Sequence, residues 1–210
     1  MLVKDWMTAK VTTIAPDTPV LEAGKVMKAG GFRRLPVVDR GKLVGIVTDR
    51  DLKEAAPSDV TSLSIWELNY LLTKLRVKEV MNSPVITVTP EDMLESAALV
   101  MADKRIGGLV VMDGAEVTGI ITITDVLRAF IEILGLSEGG LRVTVQSSDV
   151  PGQVEKVGAA AKPSNVVSIA TVGRGDGTRR MLIRVKGDQT QSFPDRLKQA
   201  GFEILSVREA

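Results

Sequence analysis

The opening residues Val3-Lys4-Asp5-Trp6-Met7 return 74 positions later as Val77-Lys78-Glu79-Val80-Met81. The same offset, without a gap, carries Pro16 to Pro90, Ala23 to Ala97, Val26-Met27 to Val100-Met101, Asp39 to Asp113, Gly45-Ile46 to Gly119-Ile120, Thr48 to Thr122 and Asp51 to Asp125. Of the 53 positions paired between residues 3–55 and 77–129, 17 are identical. Several other pairs are like for like, such as Ile14/Val88 and Val47/Ile121. A gapless match at one offset is hard to obtain by chance, so more than half of the chain is a tandem repeat.

Each copy reads as β-α-β-β-α. A β-rich run (Val11–Ile14; Val85–Val88) ends at a Pro-acid pair suited to a helix start. Val20, Ala23 and Met27, and their counterparts Leu94, Ala97 and Met101, then recur at helical spacing. Two short apolar runs follow, joined by a tight turn at Asp39–Lys42 or Asp113-Gly114, and a closing helix begins around Asp51 or Asp125. Between the copies lies an insert, residues 56–76. Its Ser64-Ile65-Trp66-Glu67 has the form of a capping box, and Ile65, Leu68, Leu71, Leu72 and Leu75 mark one apolar helical face. That face suits a connecting helix packed on the repeats, or alternatively a contact for a dimer or a partner.

Beyond Gly135 the pattern changes. Leu141–Val145 alternates as a half-buried strand, Ser148–Gly152 turns into a helix, and Val166–Val172 and Met181–Val185 flank a Gly173–Gly177 hairpin. Pro194–Ala200 reads as a helix ended by Gly201, and Phe202–Val207 as a last strand. The order is β-α-β-β-α-β.

Composition narrows the chemistry. The chain has no Cys, which excludes disulfides, thiolate nucleophiles and iron–sulfur ligation. It has no His, so the usual base near neutral pH and the commonest transition-metal ligand are absent, and we expect no metal site. A formal net charge of +1 and 3% aromatics offer neither a basic field nor stacking platforms for nucleic acid. No apolar run approaches the roughly 20 residues that span a bilayer, and the start lacks an apolar signal region. A cytoplasmic protein without nucleic-acid or membrane partners is expected.

The chemically loaded stretches are Gly45-Ile-Val-Thr48-Asp49-Arg50-Asp51 and Gly119-Ile-Ile-Thr122-Ile123-Thr124-Asp125. Each sets a hydroxyl and a carboxylate where a strand hands over to a helix. A carboxylate accepts two hydrogen bonds, which suits vicinal ribose hydroxyls, and a helix N-terminus with Thr hydroxyls favours phosphate. Arg33, Arg34, Arg50 and Arg105 supply positive charge nearby, and apolar strands at Pro36-Val37 and Val110-Val111 could sandwich a flat base. The same Thr/Asp pairs also fit plain N-capping of the closing helices. The two roles are not exclusive.

Residues 3–55 and 77–132 resemble a pair of CBS domains, through the Met7 and Met81 openings, Thr13-Ile-Ala-Pro16 and Thr87-Val-Thr-Pro90, Arg34-Leu-Pro-Val-Val-Asp39, and the two Gly-to-Asp blocks. Residues 140–208 resemble an ACT domain, through Leu141–Val145 followed by Asp149-Val-Pro-Gly152. The order, with its insert, is similar to that of the acetoin-utilization family. The resemblance implies an α+β chain: a CBS pair, two β-α-β-β-α units about a pseudo-dyad, then a ferredoxin-like βαββαβ ACT domain. The implied bounds are 1–56, a helical linker 57–76, 77–135 and 139–210.

The resemblance further implies a non-enzymatic regulatory protein that needs no cofactor. It would bind AMP, ADP, ATP or S-adenosylmethionine in two clefts and act as a homodimer on an unidentified protein target. By position, ribose hydroxyls fall to Asp51 and Asp125, and ribose or phosphate to Thr48, Thr122 and Thr124. Phosphate falls to Arg33, matched by Gly107 in the second copy. Thr13, Ile14, Pro36, Val37, Arg50, Val88 and Ile106 complete the expected nucleotide-binding set. At the ACT domain, Asp149, Val150, Pro151 and Gly152 would hold an amino acid, or serve only as turn and helix start. Two rivals stand beside this reading. One is an amino-acid sensor whose CBS pair is a scaffold; the other is an enzyme working on a bound nucleotide with Asp51 or Asp125.

Overall fold

The structure, a computed structural model, describes residues 1–55 and 73–209. The predicted capping box and most of the insert's apolar face lie outside the described residues. The chain divides into two compact units, Met1–Val126 and Leu127–Ala210.

In the first unit each copy contributes a short 3-10 turn (Val3–Asp5; Val77–Glu79), a long helix (α1, Val20–Gly30; α3, Leu94–Lys104), a hairpin and a closing helix. The hairpins are β2 (Arg34–Asp39) with β3 (Lys42–Thr48), and β5 (Gly108–Asp113) with β6 (Glu116–Thr122). The closing helices are α2 (Asp49–Glu54) and α4 (Ile123–Ile133), of which only the first turn, to Val126, belongs to the first unit. Both hairpins are antiparallel and each carries one register shift, at Val37/Val38 and at Val111/Met112, positions equivalent under the repeat. The apolar positions read from helical spacing are the buried ones: Val20, Ala23 and Met27 on α1, and Leu94, Ala97 and Met101 on α3.

The copies do not fold side by side as closed units; they exchange their opening segments. β1 (Thr8–Ala9) pairs with Ile120 and Gly119 on β6 of the second copy, and Asn82 pairs with Ile46 of the first. Val3 N–H donates to Asp92 and Lys4 N–H to Pro90, while Val77 N–H donates to Thr18 and Lys78 N–H to Pro16, at 2.9–3.0 Å. Each bond has a twin 74 residues on. The ion pairs follow suit, with Lys78 Nζ 2.7 Å from Asp17 and Lys4 Nζ 3.7 Å from Glu91.

Burial drives the exchange. Val3 and Val77 are fully buried, and Val77, with partly buried Val80 and Met81, completes the first copy's core of Ile14, Leu35, Val37, Val47 and Leu52. Glycines make room for it. A Cβ on Gly119 would lie 2.5 Å from Met7 Sδ, and one on Gly45 would collide with Met81 Sδ. The predicted strand at Val11–Ile14 shrinks to a single parallel bridge between Ile14 and Val37. Its counterpart, β4 (Thr87–Val88), pairs parallel with Val110 and Val111.

The second unit runs β7 (Leu141–Ser148), α5 (Gln153–Ala161), β8 (Asn165–Gly173), β9 (Thr178–Lys186), α6 (Phe193–Gln199) and β10 (Glu203–Glu209). Its antiparallel sheet has the order β10-β7-β9-β8, the ferredoxin-like arrangement expected from the sequence. Leu141, Val143 and Val145 of β7 and Met181, Ile183 and Val185 of β9 pack under α5 and α6, against Val157, Phe193 and Leu197. The opposite face carries the alternate residues, Arg142 and Thr144 on β7 and Arg180 and Leu182 on β9. No helix among the described residues is long and apolar enough to cross a membrane.

Candidate functional site

Because the copies exchange their openings, two cavities in the first unit are each walled by both copies. The larger, about 780 Å³, takes Thr8–Thr12 and Gly30–Leu35 from the first copy, with Gly107, Ile120 and Thr122–Asp125 from the second. The smaller, about 470 Å³, is its repeat image. Asn82, Pro84–Ile86 and Arg105–Gly108 come from the second copy, and Ile46, Thr48–Arg50 and Arg33-Arg34 from the first.

Both closing helices are capped from the cavity wall. Thr122 donates its N–H and its hydroxyl to Asp125 Oδ2, at 2.9 and 2.6 Å. Thr48 does the same to Asp51 Oδ2, at 2.7 Å each, and Asp51 N–H returns a bond to Thr48 Oγ1 at 3.3 Å. Capping is therefore reciprocal at Thr48, and at Thr122 the carboxylate half of it is present. It occupies only one face of each carboxylate, since two oxygens offer about four acceptor positions.

The two sites then diverge. Asp125 is 5% exposed and borders the larger cavity. Asp51 is half-buried and is not among the residues lining the smaller one. The larger cavity also holds Phe32, whose ring sits where a Cβ on Gly30 would be, together with Lys10 and Thr124. The smaller has Ile106, Pro84 and Arg50 at those positions. Arg50 is exposed and tied by its Nε to Glu54 at 2.6 Å.

Arg34 is the electrostatic hinge of the region, bordering both cavities. Burial pulls its guanidinium below the ordinary arginine range, Arg33 adds to this, and Asp125 opposes it. The repeat partners of Arg33 and Arg34 are Gly107 and Gly108, and the glycines are what let the arginine lie there. A Cβ on Gly107 would be 2.7 Å from Arg34 Nη2, and one on Gly108 would collide with Nη1. Two symmetric Arg pairs could not share that space.

The structure brings together Arg33, Thr122, Thr124, Asp125 and Gly107 in the larger cavity, and Arg33, Thr48, Arg50, Ile106 and Gly107 in the smaller. Thr13, Ile14 and Val88 border neither, and Pro36 and Val37 are buried in β2 away from both, as Val110 and Val111 are in β5. Sequence reasoning missed Phe32, Lys10, Asn82 and the Pro84–Ile86 run. Their only sequence signal is the repeat itself, since Thr8–Thr12 and Asn82–Ile86 are equivalent positions. In the second unit Asp149–Gly152 form an exposed turn, with Gly152 at φ +85° leading into α5. Asp149 is gripped by Arg179 through Nε at 2.8 Å and Nη2 at 3.1 Å. That hydrogen-bonded pairing holds its carboxyl below the ordinary carboxylate range. None of the cavities described is lined by this turn.

Comparison with known proteins bears on both units. The CBS domain matches residues 3–58 and 77–132, and the TTHA0829-like ACT domain matches residues 139–208. The protein MJ1225 of Methanocaldococcus jannaschii is 35% identical over 137 residues, covering 61% of this chain and 47% of that protein. The chain thus matches about half the length of that relative. Its crystal structure, described as a putative archaeal homologue of g-AMPK, superposes with a TM-score of 0.54. A putative acetoin utilization protein of Vibrio cholerae is 32% identical, covers 66% of this chain and 96% of its own, and gives 0.54. The CBS pair of MJ0100, solved with 5′-methylthioadenosine and S-adenosyl-L-methionine, is 30% identical over 62% of this chain and 95% of that one, at 0.52.

Proposed function

The chain belongs to the CBS-domain family and carries an ACT domain after its CBS pair, and from that premise we propose that it is a regulatory sensor of adenosyl ligands. The observation that carries this reading is Asp125: a buried carboxylate on the wall of a 780 Å³ cavity, beside an aromatic ring and three cations, Lys10, Arg33 and Arg34. That volume falls in the range of small-ligand pockets. The ligand's vicinal hydroxyls bond the carboxylate, Phe32 receives the flat base, and the cations receive phosphate or another anionic group. The adenosyl ligands bound by the MJ0100 pair carry the same adenosine part. The smaller cavity, with Thr48 and Arg50, is a second and weaker site.

Each cavity is walled by both copies, so a ligand there contacts two bodies at once. It can shift their arrangement only through its difference in affinity between arrangements. The sensor is read as non-catalytic, cytoplasmic and homodimeric, passing its state to another protein.

The test is a thermal-shift panel of AMP, ADP, ATP, S-adenosylmethionine and the common amino acids. At 100 times its dissociation constant, a ligand adds about 2.7 kcal/mol to the unit that binds it. The reading requires a shift with at least one adenosyl ligand that Asp125→Asn abolishes. A shift with amino acids alone would move the sensing to the turn at Asp149–Gly152. Nucleotide turnover dependent on Asp51 or Asp125 would instead make the chain an enzyme.

A further inference from the structure

The face of the second unit's sheet away from α5 and α6, covered in part by Phe130, Leu134 and Leu136, is crowded with like charge. Arg142 on β7 stands directly opposite Arg184 on β9 and directly opposite Arg208 on β10. Four residues along the ladder, beyond the Thr144–Leu182 pair, Arg180 stands opposite Gln146. Like charges directly across a ladder are unfavourable, and a charged group buried without a partner costs more. Among the described residues no carboxylate forms an ion pair with Arg142, Arg180 or Arg184. Among the described residues Arg184 reaches the Gly139 carbonyl, at 3.4 Å, and Arg180 Nε is buried without a hydrogen-bond partner. The acids near this face are Asp176, 3.8 Å from the exposed Arg174, the exposed Glu203 opposite Gln146, and Glu138, which lies beside the Arg184 stem but pairs with Lys186 at 3.6 Å.

The same residues border a cavity of about 610 Å³. Arg142, Arg174 and Arg180 supply its charge, and Thr144 and Ser206 its hydroxyls. Its remaining walls are apolar: Val172, Leu182 and Leu205, of which Val172 and Leu205 are exposed. The bulge between Ile204 and Ser206 on β10 turns Leu205 and Ser206 toward it. Concave shape, apolar walls and a few convergent polar groups are the ordinary make-up of a small-molecule site. An arginine nitrogen without a partner, among further arginines, specifies the sign of what binds.

We propose that this cavity is a binding site for a small organic anion, a single carboxylate or phosphate head on an apolar body. The head pairs with Arg180 and Arg142 and accepts from Thr144 or Ser206, while the body covers Leu182, Val172 and Leu205. Such a ligand neutralises the arginines that line the cavity and offsets the cost of the unpaired charge beside it. The site lies on the sheet face away from α5 and α6 and is separate from the Asp149–Gly152 turn, so it is a different input from an amino acid held there.

The experiment uses the full chain with hexanoate and phenyl phosphate as probes and benzyl alcohol as the neutral control, by isothermal titration in saturating AMP. Both anions, or the one whose head matches, bind saturably at one site per chain with a dissociation constant below about 1 mM. The stronger probe assigns the head as carboxylate or phosphate. Benzyl alcohol does not bind, and Arg180→Gln weakens the anion at least tenfold. Amide shifts of the wild-type protein on titration locate the site without any substitution: they cluster at Thr144, Val172, Arg180 and Leu205. The proposal is overturned if neither anion saturates in that range, if Arg180→Gln binds as wild type, or if the shifts gather at Thr48 and Thr122 instead.

Discussion

The two capping carboxylates, equivalent by sequence, should respond unequally to the same substitution. Asp125→Asn keeps one acceptor for the Thr122 N–H but removes the charge that strengthens bonds of 2.9 and 2.6 Å. At a carboxylate only 5% exposed, that loss is on the order of 1–2 kcal/mol. It also leaves the half-buried Arg34 facing Arg33 without the opposing charge of Asp125, which after solvent screening is at most on the order of another 1 kcal/mol. The sum is about 2–3 kcal/mol. Asp51→Asn disturbs a cap of similar geometry, with both bonds at 2.7 Å, but it is half-buried and is not among the groups acting on Arg34. Its cost should be that of a cap, about 1 kcal/mol. Trp6 belongs to the first unit, so in a Trp66→Phe background its fluorescence during urea unfolding reports on that unit. With a slope of about 2 kcal/mol per molar urea, the midpoints should fall by more than about 1 M and by about 0.5 M respectively. Equal losses, or a larger one for Asp51→Asn, would refute the coupling between Asp125 and Arg34.

Three further outcomes are expected. Gly108→Ala drives a methyl into Arg34 and to within 2.9 Å of the Ile121 carbonyl, and should destabilise the first unit by about 1–3 kcal/mol. Adding Arg34→Ala in the same urea assay should recover part of that loss. Deleting residues 1–7 removes Val3 and its bond to Asp92, so hydrogen exchange should accelerate at β6 and the start of α3 before it does at β2 and β3. Asp149, held below the ordinary carboxylate range by Arg179, should titrate low in an NMR pH series and return to the ordinary range in Arg179→Gln. Its folded-state value lies below its unfolded one. The stabilisation is therefore complete above the unfolded pKa and is lost as pH falls through the lowered value, a loss that Arg179→Gln should suppress.

Much of this molecule is legible one residue at a time. The helical spacing of Val20, Ala23 and Met27, the hairpins around Asp39 and Asp113, and the βαββαβ order all rest on interactions within a few residues. So do the caps made by Thr48 with Asp51 and by Thr122 with Asp125, three residues apart. Those signals are short-range, and short-range energetics decides them.

The cavity walls were decided otherwise. Val3 and Val77 are the same residue in the same context, so insertion into the copy's own core and into its neighbour's read identically in the sequence. Only the packing of the whole unit chooses exchange, and exchange is what carries Lys10 and Asn82 to walls shared with the other copy. Arg34 followed the same logic. Its charge was visible, but its place against Gly107 and Gly108 depends on a contact across more than 70 residues, where two glycines leave the volume one guanidinium fills. Local interactions suffice to specify two copies of one unit, their helices, hairpins and caps. The tertiary structure determined which copy completes which, because equal local sequences differ only in the burial they gain from the rest of the fold.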